Sequence, residues 1–184
     1  MTITFANKIT VLRVLMVPAF IVSVLYLNAS NQYLKIIALG IFLFAAISDV
    51  IDGYIARRFN QESRLGAILD PLADKLLLIS AFVCLFIMKD QFGLLQLPFW
   101  LLIVVISRDV ILTAGFIIMH LIQAQARIKP TVAGKMTTFF QVLAVLGIFL
   151  QWPFSFIIWW VILVLSLATT IDYIMRSLHP ERSP

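Results

Sequence analysis

The sequence has one cysteine, two histidines and little charge of either sign. A single thiol excludes an internal disulfide, and Cys84, set in an apolar run, reads as a small packing residue. His120 and His179 lack partners at metal-site spacing, which leaves no basis for a His-based zinc centre. Only 12% of the 184 residues are charged, too few for an ordinary soluble surface. Period-two alternation is missing as well: stretches such as "LLIVVI" and "IIWWVILVLSLA" are apolar throughout, which excludes a membrane β-barrel. No internal repeat, low-complexity tract or linker divides the chain, and the connections "NASNQY" and "KDQFGLLQ" are too short to house a second domain. The reading is one domain, residues 1–184.

What fills the space is hydrocarbon. The chain is 62% hydrophobic, with a mean hydropathy of +1.03. Apolar runs fall at residues 10–27, 34–48, 76–88, 97–122, 138–150 and 154–171. The expectation is an all-α polytopic membrane protein with six transmembrane helices, preceded by a short interfacial segment in "MTITFANKITVLRV". Arg13 and Pro18 interrupt the first run and no small-residue cleavage site stands out, so that run is expected to stay in the mature chain as helix one. Several runs are shorter than the ~20 residues a spanning helix needs. Helices two and three therefore have to extend through the polar residues beside them, to about 34–58 and 63–88.

With the N-terminus in the cytoplasm, Lys8, Arg13, Arg57, Arg58, Arg64, Lys75, Arg127, Lys129, Lys135, Arg176 and Arg182 fall on or near that side, against Lys35 and Lys89 on the other. This is the positive-inside pattern, and it points to both termini being cytoplasmic. With no separable targeting segment the expected location is a bacterial plasma membrane, with an organelle membrane as the alternative for a processed chain. The net charge of +5 and isoelectric point near 9.7 then reflect topology and attraction to anionic headgroups, not nucleic acid. Trp100, Trp152, Trp159 and Trp160 gather in the outer halves of helices four to six, as interfacial anchors do.

Into this apolar chain "SDVIDGYIARRFNQESRLGAILDPLADK" sets four aspartates. Asp49, Asp52 and Ala56 are spaced i, i+3, i+7; Gly66, Asp70 and Asp74 are spaced i, i+4, i+8, so each set shares a helical face. An ionisable group in a membrane helix costs about 2.5–3.5 kcal/mol on insertion scales, and clustered carboxylates repel one another besides. Divalent cations remove both penalties. All-oxygen donors suit magnesium, manganese or calcium better than zinc, and two such ions side by side act on phosphate. Gly53, Ala56 and Gly66 leave room for a close approach of helices or of a bulky phosphorylated ligand.

Asp49, Asp52, Gly53, Ala56, Arg57, Gly66, Asp70 and Asp74, at these fixed spacings, resemble the signature of the CDP-alcohol phosphotransferases. That resemblance implies a six-helix membrane fold, a homodimer, and two divalent cations, Mg2+ or Mn2+, at the cytoplasmic side. It implies attack of an acceptor hydroxyl on the phosphorus of a CDP-linked lipid or alcohol, with release of CMP. Asp49, Asp52, Asp70 and Asp74 become metal ligands, and Asp74 also the general base. Asp52, Gly53, Ala56, Arg57, Ser63 and Gly66 line the CDP pocket.

The acceptor is read elsewhere. "NKITVLRVLMVPAF", with Asn7, Arg13 and Pro18, resembles the start of bacterial phosphatidylglycerophosphate synthases, as do "SRDV" and "GKMTTFFQ" further on. This makes CDP-diacylglycerol the donor and glycerol 3-phosphate the acceptor, with Arg108 and Lys135 on the acceptor phosphate. A planar guanidinium deep in helix four suits that role, while Lys135 could equally snorkel to headgroups. Asp109 is not expected to pair with Arg108, since sequence neighbours on a helix do not face each other. "ISRDV" and "ARIKPTVAGKMTTFFQ" also look like cardiolipin synthases of this family, for which phosphatidylglycerol is the acceptor. Outside the family, intramembrane acids also occur in small cation transporters, but here all four lie toward one membrane face. A noncatalytic lipid-binding protein would not require the complete acid set.

Overall fold

The computed structural model describes the backbone of residues 5–28, 30–59, 66–93, 95–121 and 132–178, and side chains over 12–28, 30–48, 75–93, 95–115 and 132–175. Its described residues form six α-helices and no strand: α1 Phe5–Leu25, α2 Tyr33–Phe59, α3 Gly66–Ile87, α4 Phe99–Leu121, α5 Val132–Phe149 and α6 Ser155–Leu178. A 3-10 turn at Lys89–Gln91 lies between α3 and α4. Each apolar run has become a helix, the element that satisfies its own backbone groups without water.

Both α2 and α3 run on past their apolar cores and through the polar motif. At 27 and 22 residues they reach about 40 and 33 Å. The stretch expected to lie along the interface is instead, from Phe5 onward, the first turns of α1, which continues through Pro18 without a break. Packing keeps α1 whole across the lost hydrogen bond: it lies against α2 and α3, with Phe20 and Val24 sealed in the contact.

Val132–Phe149 and Ser155–Met175 are by themselves long and apolar enough to cross a membrane, and shorter apolar segments occupy Leu12–Leu25, Tyr33–Ser48 and Lys75–Ile87. The surface is apolar on the outside. On α6 alone, Trp160, Val164, Leu167, Ile171 and Met175 form an exposed stripe, and Leu15 and Ile36 are as open on α1 and α2. Patches of this extent suit lipid better than water.

α3 is the central element, touching α1, α2, α4 and α5, while α6 closes the far side against α5 and α4. The connections α1–α2, α3–α4 and α5–α6 meet at one end, which side chains tie together. Phe92 stacks edge-on to Phe149 at 5.1 Å, Phe149 meets Phe20 at 6.4 Å, and Lys35 lies 5.4 Å over the Phe92 ring. α5 stops there in a Schellman turn: Trp152 N–H donates to Gly147 O (2.8 Å) and Gln151 N–H to Ile148 O (3.3 Å). Gln151 takes the left-handed position, φ 53°, usually held by glycine. Its side chain offsets the strain, donating to Ile148 O (2.8 Å) and accepting from Leu95 N–H across the gap (3.2 Å).

Candidate functional site

The opposite end carries the polar motif. Asp49 and Asp52 lie in the last turns of α2, Asp70 and Asp74 in the first turns of α3, and the two helices pack on each other. Both acid pairs thus flank the 60–65 connection at one end of adjacent helices. Gly53, Ala56 and Arg57 fall in α2 and Gly66 opens α3; Ser63 lies outside the described residues, as do the side chains of 49–74. The four residues that the backbone places there are all aspartates, whose hard oxygen donors are of the type that suits magnesium or manganese. α1, packed on both helices, carries Arg13, only 2% exposed.

Directly after Asp74, α3 presents Lys75, and with it begins a buried polar cluster. Asp109 of α4 is fully buried, and its Oδ1 accepts from Lys75 Nζ (3.0 Å) and from Arg108 Nη1 (2.6 Å). Its Oδ2 accepts from Gln141 Nε2 of α5 (3.4 Å). Arg108, 4% exposed, also donates from Nη2 to Gly134 O near the start of α5 (3.3 Å). One carboxylate thereby joins three helices.

Arg108 is as deep as its sequence position implies, but the expectation that Asp109 is a poor partner for it is wrong. Neighbours on a helix are about 100° apart, which short side chains cannot bridge; the long arginine side chain swings across it. Both side chains are directed into the same buried contact with α3 and α5, where an unpaired charge would be far more costly than a bent geometry. Lys135, by contrast, is exposed on the first turn of α5, next to Gly134. The two cations expected at the acceptor phosphate thus differ: one is built in, the other is open.

Lys75, Asp109 and Gln141 are the residues that sequence reasoning missed. Lys75 reads as one of several bases near the motif, and nothing local marks it as bonding 34 residues ahead. Gln141 did carry a signal. With Thr137 it is spaced i, i+4 on a mostly apolar helix, and both are completely buried. Thr137 uses its hydroxyl on Ala133 O (2.8 Å), leaving Gln141 to reach Asp109.

Two atoms of the cluster, Arg108 Nε and Gln141 Oε1, are buried without a hydrogen-bond partner. Buried polar groups are nearly always satisfied, so these two orphans on side chains bonded to one carboxylate stand out.

Residues 3–171 match the family model described as CDP-alcohol phosphatidyltransferase. A Mycobacterium tuberculosis protein bearing a phosphatidylglycerophosphate synthase name is 31% identical over 181 residues, covering 95% of this chain and 81% of that one. The Bacillus subtilis CDP-diacylglycerol–glycerol-3-phosphate 3-phosphatidyltransferase is 30% identical over 190 residues, 93% of each chain. A Mycobacterium bovis protein bearing a cardiolipin synthase name is 33% identical over 138 residues, 74% of this chain and 60% of that one.

Proposed function

Because the chain belongs to the CDP-alcohol phosphatidyltransferase family, we propose that it transfers the phosphatidyl group of CDP-diacylglycerol to the hydroxyl of glycerol 3-phosphate. The observation that carries this reading is the buried cluster of Arg108, Asp109 and Lys75, one residue along α3 from Asp74. A cation-bearing cluster beside an acid-rich helix end would provide separately for an anionic acceptor and for the metal-bound donor that four carboxylates suit.

Asp49, Asp52, Asp70 and Asp74 would hold two divalent cations, magnesium or manganese. When bound, these supply charge neutralisation at the phosphoryl oxygens and support for the departing CMP oxygen. Asp52, Gly53, Ala56, Arg57, Ser63 and Gly66 line the CDP pocket, where small residues at three of the six positions admit the nucleotide. Asp74 accepts the proton of the acceptor hydroxyl, whose oxygen bonds to the phosphorus of CDP-diacylglycerol as the bond to CMP breaks. Arg108 and Lys135 hold the acceptor phosphate, so the hydroxyl is presented in a fixed direction.

All six helices cross the membrane in this reading, with the acid end cytoplasmic and the protein a homodimer. The cytoplasmic side is where the soluble substrates and the excess of lysine and arginine belong. A second reading, with phosphatidylglycerol as acceptor, draws support from the cardiolipin synthase likeness. Arg108 and Lys135 serve both, since each acceptor offers a hydroxyl and a phosphate.

The deciding experiment gives the purified protein CDP-diacylglycerol and magnesium, with glycerol 3-phosphate or phosphatidylglycerol in separate reactions, and identifies the lipid product. Phosphatidylglycerophosphate with CMP release is expected. Cardiolipin alone would transfer the conclusion to the second acceptor, and cation flux in liposomes without CMP release would remove the enzyme reading.

A further inference from the structure

We infer that Asp109 is a positioning residue for the acceptor phosphate: it clamps Arg108 against α3 and α5 so that the unpaired Nε–H of Arg108 is held ready for a phosphate oxygen. This rests on the acceptor role given to Arg108 above. A guanidinium has five N–H donors in a rigid plane. In Arg108, Nη1 is drawn to Asp109 Oδ1 at 2.6 Å and Nη2 to Gly134 O at 3.3 Å, which fixes the plane. Nε remains, buried in a side chain 4% exposed and without a partner. Such a donor is costly to leave unmet, and an anionic oxygen is the partner that recovers most.

The charge balance points to an anion as well. Among the described residues, Lys75 and Arg108 bring two positive charges to the single carboxylate of Asp109. Gln141 Oε1, the second buried orphan, is a hydrogen-bond acceptor without a donor. A ligand with a phosphate and a free hydroxyl satisfies both, and glycerol 3-phosphate and the headgroup of phosphatidylglycerol each have them.

Asp109 also joins the two halves of the reaction. Lys75 follows Asp74 directly in α3, so its bond to Asp109 ties the register of the expected base to that of the phosphate anchor on α4. Loss of the carboxylate lets the anchor turn relative to the base, and misplacement of about 1 Å can cost on the order of a hundredfold in rate.

The test is steady-state CMP release in detergent micelles. Each substrate is varied against saturating partner for the wild type, Asp109→Asn, Asp109→Glu and Gln141→Leu, with equilibrium binding of radiolabelled glycerol 3-phosphate measured alongside. Asp109→Asn is expected to raise KM for the acceptor and weaken its binding by roughly tenfold or more, with KM for CDP-diacylglycerol within about twofold of the wild type. Asp109→Glu recovers part of the loss because it keeps the carboxylate. Should Asp109→Asn fail to fold, Gln141→Leu removes the Oδ2 donor together with the unpaired Oε1 and is expected to shift the acceptor KM in the same selective way. Equal rises in both KM values, or a fall in kcat with acceptor binding unchanged, would overturn the inference. If the wild type uses phosphatidylglycerol, the same KM split is read on that lipid. If it releases CMP with neither acceptor, the parent reading fails first, and visibly so.

Discussion

Replacing Arg108 by lysine keeps the charge and removes the planar fork. Asp109 would still be bonded by Lys75 and Gln141, so the buried carboxylate stays compensated and the fold is expected to hold. What disappears is the directed set: the Nη1 bond to Asp109, the Nη2 bond to Gly134 O and the free Nε–H. A hydrogen bond to a charged group is worth about 1.5–3 kcal/mol, and each 1.4 kcal/mol is about tenfold, so one lost bond to phosphate raises KM by about 10- to 150-fold. Lysine retains the Coulomb attraction and should fall near the lower figure, while Arg108→Met should approach the upper. The assay is CMP release with glycerol 3-phosphate varied at saturating CDP-diacylglycerol, and thermal unfolding in detergent as the control. A well-folded Arg108→Lys protein whose acceptor KM stays within twofold of the wild type would refute the assignment of Arg108 to the acceptor.

Asp74→Asn is predicted to abolish turnover while CDP-lipid binding stays measurable, since three of the four expected metal ligands remain; near-normal turnover would take the base role from Asp74. Chelation with EDTA is predicted to stop CMP release and readdition of magnesium or manganese to restore it, an outcome checked against calcium; activity unaffected by exhaustive chelation would contradict the all-carboxylate metal site. At Gly147 a methyl group would overlap the Ser155 hydroxyl, which is fully buried and committed to Trp152 O at 2.7 Å. Overpacking of about 1–3 kcal/mol outweighs the ~1 kcal/mol that alanine adds in helix propensity, so Gly147→Ala should lower Tm and adding Ser155→Ala should raise it again. A Gly147→Ala protein as stable as the wild type would show that the α5–α6 turn gives more easily than its bonds suggest.

Helix number, helix type and the placement of the acid motif were legible because each rests on a local cause. Apolar runs had to become helices, and runs too short to span had to absorb their polar neighbours, as α2 and α3 do. Pro18, which interrupts the first apolar run in sequence, does not interrupt α1, because neighbouring helices hold it. Asp109 was misread for a different reason. Spacing rules describe short side chains on an isolated helix, whereas Arg108 and Asp109 are pressed into one buried contact by α3 and α5. Lys75 and Gln141 lie 34 residues before and 32 after Asp109, and no local pattern encodes a meeting of that kind. The acid motif was therefore readable, since its residues lie close together in sequence, whereas the Lys75–Asp109–Gln141 cluster was opaque, since three helices contribute one or two residues each.

The Gln151 turn has a consequence at the opposite end of the molecule. By holding Leu95 and Ile148 at once, beside the Phe20, Phe92 and Phe149 rings, it makes that end of the bundle the closed jaw of a clothes peg. In the proposed reaction a CDP-lipid enters, and a lipid product and CMP leave, in each cycle. Opening of the bundle is therefore expected at the other end, and hydrogen exchange should be slower around the Gln151 turn than around the acid motif. There Asp109 holds α3, α4 and α5 together through Lys75, Arg108 and Gln141.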